Sequence, residues 1–272
     1  MTINNIAACP IVVGINVDTE ALDAANAGKG GLFGRHSYGR YGAREGVTRL
    51  LTEFDKLGVV ATFFVIPEDA SRHPYLLEKI IRQGHEIAVR GGGAFLQNET
   101  VCLEKLAEEK EALEKITGAT VSGWRSIDGL ITENTLPALA KLGYVYESSA
   151  KDDDTPYVMH GPQGTLVELP TFDYLTDSTF YANRHTDQRT RKAWEEEAAA
   201  QYCAGGYVNL TLHTRGDIGS SRLPRVQNVG DFLRSMLEKP GVSAYTAKDL
   251  AQGWLQQRRN TEPFPQFLRP NI

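Results

Sequence analysis

The feature that most constrains this chain is its repeating order of short apolar runs and amphipathic helices. Ile11–Val17 is short and rich in β-branched residues, as a strand buried on both faces is. "REGVTRLLTEFDKLG" follows at helical spacing, with Val47, Leu50, Leu51, Phe54 and Leu57 on one face and Gly58 as the stop. The pattern then repeats. "VVATFFVI" is a strand, and residues 73–84 are a helix with Pro74 in its first turn. "HEIAV" leads to the helix "TVCLEKLAEEKEALEKITG", and "TVSGWRS" to "TENTLPALAKLG" with a Thr cap. "YVYESS" and "GTLVELPTF" precede a helix over about 191–204. "GYVNLTLH", the helix "VQNVGDFLRSMLEKPG" and the strand "VSAYTA" complete the series. Regular alternation predicts an α/β fold with a parallel sheet, a closed or nearly closed βα barrel rather than an open sheet.

Barrels of this kind reach 272 residues as one domain. The expectation is one domain over 1–272 with a polar tail from about 256. Hydrophobic content of 41% and charged content of 23% are globular values. A net charge of −5 and dispersed basic residues give no footprint for nucleic acid. No run approaches a membrane span, and the N-terminus lacks the features of a signal peptide, so the expected partner is a small molecule and the expected location cytoplasmic. Cys9, Cys102 and Cys203 fit neither a disulfide framework nor a zinc motif. No GxGxxG or Walker motif follows a strand. The Gly-rich loop over 26–42, with Phe33, Arg35, His36, Tyr38 and Tyr41, is long and aromatic enough to close over a ligand.

In a βα barrel, function gathers where strands end. Those positions carry Asn16, Asp18 and Glu20; Arg90, Gly91 and Gly92; Trp124, Arg125, Ser126 and Asp128; Glu147, Ser148 and Ser149; Glu168 and then Asp173; and His213 with Thr214 and Arg215. Singly, each has a structural explanation: Asp18 as a turn cap, Arg125 as an ion-pair partner, His213 as a satisfied core histidine. Their recurrence at nearly every strand end points to a site.

Seven segments in order carry a family resemblance: "NVDTEA", "YGAREGVTRLLTEFDKLGVVATFFV", "GHEIAVRGGGAF", "GWRSIDGLITENTLPALAKLGYVYESS", "DDDTPY", "VELP" and "LHTRGDIGSSR". Over about 11–250 the chain resembles the polysaccharide deacetylases (NodB-homology, carbohydrate esterase family 4). Its nearest branch includes peptidoglycan deacetylase-like proteins, metal-free allantoinases and cyclic imide hydrolases. The resemblance implies a distorted (β/α)7 barrel and a hydrolase of non-peptide C–N bonds, in a homo-oligomer of up to four chains. In metal-dependent relatives an Asp-x-Asp pair supplies the base and one ligand, and a His-x-x-x-His loop supplies two more. Here those positions read Asn16, Asp18, Arg90 and Ala94. Asn is no base, and neither Arg nor Ala is a ligand.

The expectation is therefore no cofactor; a zinc or other divalent ion, if held, would sit at Asp18. The expected catalytic residues are Asp18, Glu20, His213 and Arg125. By the resemblance, His213 protonates the leaving nitrogen and Arg125 orients the catalytic carboxylate. Arg90, Asn16, Gly91, Gly92, Trp124, His36, Tyr38 and Asp173 are the expected substrate contacts. Arg90 would pair with Asp18 or hold a substrate carbonyl or carboxylate, with the glycine N–H groups beside it completing an oxyanion site. The leading reading is metal-independent hydrolysis of a small cyclic amide or imide. The alternatives are a metal-dependent N-deacetylase of a sugar or peptidoglycan and a non-catalytic small-molecule-binding homologue.

Overall fold

The computed structural model describes residues 6–27, 34, 37–257 and 260–265. In chain order the elements are β1 (Cys9–Val17), α1 (Glu20–Ala27), α2 (Tyr38–Tyr41), a π-helical turn (Gly42–Gly46) and α3 (Val47–Leu57). Then come β2 (Thr62–Val65), α4 (Pro67–Arg72), α5 (Pro74–Arg82), β3 (Glu86–Gly91), α6 (Glu99–Thr117), β4 (Gly123–Ser126), α7 (Thr135–Lys141) and β5 (Tyr146–Glu147). The last part holds β6 (Tyr157–Gly161), β7 (Gly164–Glu168), α8 (Asp177–Tyr181), α9 (Asp187–Ala204), β8 (Val208–His213), α10 (Leu223–Leu237), β9 (Val242–Tyr245), α11 (Ala247–Gln257) and β10 (Thr261–Pro263).

The parallel strands run in the order β7-β5-β4-β3-β2-β1-β8. The gap between β7 and β8 is bridged by the segment after β7: Thr176 pairs with Thr211, and Asn209 Nδ2 donates to the carbonyls of Pro170 (3.0 Å) and Leu169 (3.3 Å). The result is the expected distorted seven-stranded barrel, closed by one bridge and side-chain bonds rather than by a full ladder. β9 and β2 share one edge of β1, along Cys9–Val12 and Gly14–Val17.

Two apolar clusters follow from strand alternation. The barrel interior takes Val12, Phe64, Ala88, Tyr146, Val167, Leu169 and Tyr207. Their sequence neighbours Val13, Phe63, Val89 and Leu166 face outward into the layer under the helices, with Leu50, Phe54, Leu106 and Trp194. Burying apolar area on this scale is the main drive for folding. Long helices stop where the sequence predicted: Gly58 and Gly118 take the left-handed conformation after α3 and α6.

Four features depart from expectation. The helix placed over 132–143 is Thr135–Lys141 and starts after Asn134, because Thr132 Oγ1 donates to Leu96 O instead of capping. The helix placed over about 191–204 begins earlier, at Asp187, where the Thr186 hydroxyl accepts from Arg189 N. A hairpin strand, β6, occupies Tyr157–Gly161. Within the expected tail, Thr261–Pro263 pairs with β6 as β10.

Candidate active site

Alternation within the strands decides which strand-end residues meet. Asn16 and His213 lie opposite each other on β1 and β8, and Arg90 and Arg125 on β3 and β4; all four continue the inward-facing parity. With Ser148, Ser149, Thr171, Thr211, Lys151 and Asp173 they line a pocket of about 310 Å³ at the C-terminal mouth of the barrel.

Asp18 lies just beyond β1 and is buried. Its position follows from Asp69 on α4, whose two oxygens accept the N–H groups of Thr19 (3.0 Å) and Ala21 (2.9 Å) at the start of α1. Burial pushes the Asp69 carboxyl up, and these bonds offset only part of the rise. Arg90 Nε lies 2.8 Å from Asp18 Oδ1. The approach is close but off the hydrogen-bond line, so charge rather than a directed bond holds the pair. Arg90 Nη2 also donates to Ile127 O at 3.3 Å.

His213 is held by a residue the sequence reading missed. Asp177, fully buried at the start of α8, accepts from the His213 backbone N–H at 2.9 Å, and its Oδ1 lies 2.6 Å from ring Nδ1. The other ring nitrogen faces Asn16 Nδ2 at 3.0 Å, while Asn16 Oδ1 accepts from Arg125 Nη1 at 3.2 Å. A guanidinium only donates, which sets the Asn16 amide with its NH2 toward the histidine. Nε2 must then accept, and Nδ1 must carry the proton toward Asp177. His213 is thus held as a neutral imidazole with its basic nitrogen in the pocket, 4.0 Å from Asp18 Oδ2.

Arg125 crosses the barrel floor. It donates to Ser148 O (2.8 Å) and Ser148 Oγ (2.9 Å) and lies 3.9 Å over the Phe64 ring. Gly14 makes room for it, since a Cβ there would stand 2.9 Å from Nη1. Burial, with the Arg90 charge second, pushes its pKa down to about 10. It remains cationic at neutral pH.

Other expected site residues lie at the pocket rim or away from it. Glu20 is 2.6 Å from His73 Nε2, joining the start of α1 to the turn before α5. Trp124 has the outward parity, and its Nε1 donates to Glu109 on α6 at 3.3 Å. Gly91 also faces Glu109, and Gly92 N–H donates to Glu109 Oε1 at 3.1 Å. That N–H is therefore committed to a protein carboxylate instead of an oxyanion. Tyr38 borders a neighbouring cleft with Tyr41, Arg44 and Arg222. Asp173 is at the pocket rim, paired with Lys151. Phe33, Arg35 and His36 lie outside the described residues.

A divalent metal does not fit these residues. Arg90 stands where the resemblance puts the first histidine ligand, and its guanidinium has no lone pair to give. Among the described residues no three His, Cys, Asp or Glu side chains converge as a ligand set. Among them, too, no helix is long and apolar enough to cross a membrane, and the three cysteines are free, Cys203 exposed.

Residues 39–146 match the family described as polysaccharide deacetylase. No curated protein matches the chain. Among solved structures, a Mycobacterium smegmatis protein assigned as a polysaccharide deacetylase is 27% identical, with a TM-score of 0.87 over 100% of this chain and 98% of that one. A Pseudomonas aeruginosa PAO1 protein with a similar assignment is 21% identical, TM-score 0.77, over 92% of each chain. Puue allantoinase is 20% identical, TM-score 0.75, over 92% of this chain and 91% of that one, a likeness of fold. The family match over residues 39–146, the motifs and the barrel agree in their likeness to the polysaccharide deacetylases.

Proposed function

We propose that this chain hydrolyses a C–N bond in a small cyclic amide or imide, with no resident metal. The observation that carries this reading is the Arg90–Asp18 ion pair, set beside a neutral His213 oriented by Asp177. The pocket volume of about 310 Å³ suits a small ring better than a polymer. The fold likeness to Puue allantoinase supports the same class of substrate.

The residues divide the work as follows. Arg90 presents a fixed positive charge to the substrate carbonyl and stabilises the oxygen as charge develops on it. Nε2 of His213 exchanges the Asn16 NH2 for the attacking water, takes its proton and returns it to the leaving nitrogen as the C–N bond breaks. Asp177 stabilises the imidazolium formed between those steps. Asp18 holds Arg90 in place and lies 4.0 Å from Nε2 through its second oxygen.

The test is turnover by the purified full chain against cyclic imides, hydantoins, allantoin and N-acetyl sugars, before and after chelation and with metal analysis. Ring hydrolysis that survives chelation is expected. Activity on N-acetyl sugars alone, or loss on chelation, would replace this reading with metal-dependent deacetylation. Binding without turnover of any member would leave a non-catalytic homologue. Homo-oligomer formation, up to a tetramer, is proposed with it and is checked by light scattering on the same sample.

A further inference from the structure

Arg125 is buried, and each of its hydrogen bonds goes to a neutral oxygen: Ser148 O, Ser148 Oγ and Asn16 Oδ1. Among the described residues no carboxylate pairs with it. The nearby carboxylates are engaged elsewhere: Asp18 with Arg90, Asp177 with His213, Asp173 with Lys151, Glu147 with Ser149, and Asp128, also in the pocket lining, with Ser126 Oγ and Leu130 N. Glu147 acts on Arg125 only through space. A second guanidinium, Arg90, stands at the same register on the next strand. Removing a guanidinium from water without a counter-charge is strongly unfavourable, so a buried cation of this kind calls for an anion. Arg125 lines the pocket, and its three hydrogen bonds leave two of its five N–H donors for a ligand.

We infer that the pocket binds a small organic anion, and that the ligand carries a carboxylate which supplies the missing partner of Arg125. The residue at position 16 controls this preference. An Asp in place of Asn16 would put a carboxylate against Arg125 Nη1 and neutralise it from within the protein. Asn keeps the shape and leaves the charge for the ligand. The hydroxyls of Ser148, Ser149, Thr171 and Thr211 solvate a polar ligand without adding charge of either sign. This inference deepens the proposed reaction by naming the charge of its substrate, and it rests on that reaction only for the ring that is opened.

The test is calorimetric titration of the full chain, in low-chloride buffer at pH 8.5, with two near-isosteric probes: succinamate, which carries one carboxylate, and succinamide, which carries none. Succinamate should bind at least tenfold tighter, and added salt should weaken it. Asn16→Asp and Arg125→Gln should each remove that tenfold preference; a melting curve identifies which variants fold. Equal binding of the two probes to the native chain, or a preference for succinamate that persists in a folded variant, would overturn the inference. The outcomes separate from those of the reaction: anion binding with no ring hydrolysed leaves this site and removes the proposed activity. Hydrolysis of neutral rings with no preference for the anion does the reverse.

Discussion

Asp177 grips His213 at two points, accepting from its backbone N–H at 2.9 Å and facing ring Nδ1 at 2.6 Å. The first bond fixes where the residue sits, and the second fixes its tautomer. Asp177→Asn turns an NH2 toward Nδ1 and drives the ring proton to Nε2. With Nε2 already protonated, it has no lone pair to take a proton from water, and the basic nitrogen is lost to the pocket. Turnover of the substrate found by the panel should fall by about 10²–10⁴-fold with the melting temperature little changed, since general acid–base groups contribute on that scale. Steady-state rates and a melting curve measure both.

Arg90 and Asp18 should be coupled in stability as well as in activity. Removing one partner leaves a buried charge alone, at about 3–5 kcal/mol, whereas removing both is far less costly. Arg90→Met and Asp18→Asn should each destabilise the fold and abolish turnover. The double variant should regain most of the stability and none of the activity. Urea unfolding of the four proteins measures the coupling.

Gly91 should not tolerate a side chain. A Cβ at this position would stand 2.0 Å from Glu109 Oε2, the carboxylate that also holds Gly92 N–H and Trp124 Nε1. Gly91→Ala should cost about 1–3 kcal/mol by overpacking. It should also impair turnover by displacing the adjoining Arg90. Glu109→Ala in the same chain should recover part of the stability. Denaturant midpoints for the single and double variants check this.

Glu147 and Glu168 face each other at the same register on β5 and β7 and are both buried. Burial, with the Glu147 charge second, holds the Glu168 carboxyl well above the usual carboxylate range. A raised folded pKa means that the native state keeps a proton the unfolded chain gives up. This contribution is full below the unfolded value, near 4.3, and is lost as pH rises through the folded one. Glu168→Gln removes that slope. The variant should gain at least about 1 kcal/mol relative to the native chain between pH 5 and pH 8, one pKa unit being worth about 1.4 kcal/mol. Unfolding curves at the two pH values test the sign.

The course of the fold was legible because it rests on local periodicity. Apolar runs bounded by Gly58, Gly84 and Gly118 fall where β2, β3, β4 and the helices before them fall. The strand-end rule also offered Asp18, Arg90, Arg125 and His213, which the fold brings side by side. It brought in Trp124 and Gly91 as well, although alternation turns both outward to Glu109. Glu20 was drawn in by position alone; its helix start carries it to His73.

Asp177 left no mark in the sequence. It opens a five-residue helix after β7, 36 residues before His213, and no spacing rule joins them. Only barrel closure, through the Thr176–Thr211 bridge, sets the two side by side. The same closure separates the charges: Asp18 with Arg90, Asp177 with His213, and Arg125 with neutral oxygens. The sequence by itself determined the barrel's order and the residue types offered at the strand ends, because periodicity and residue chemistry are properties of short stretches. The tertiary structure decided which of those residues meet and which charge is left without a partner, because pairing depends on distances between strands far apart in the chain.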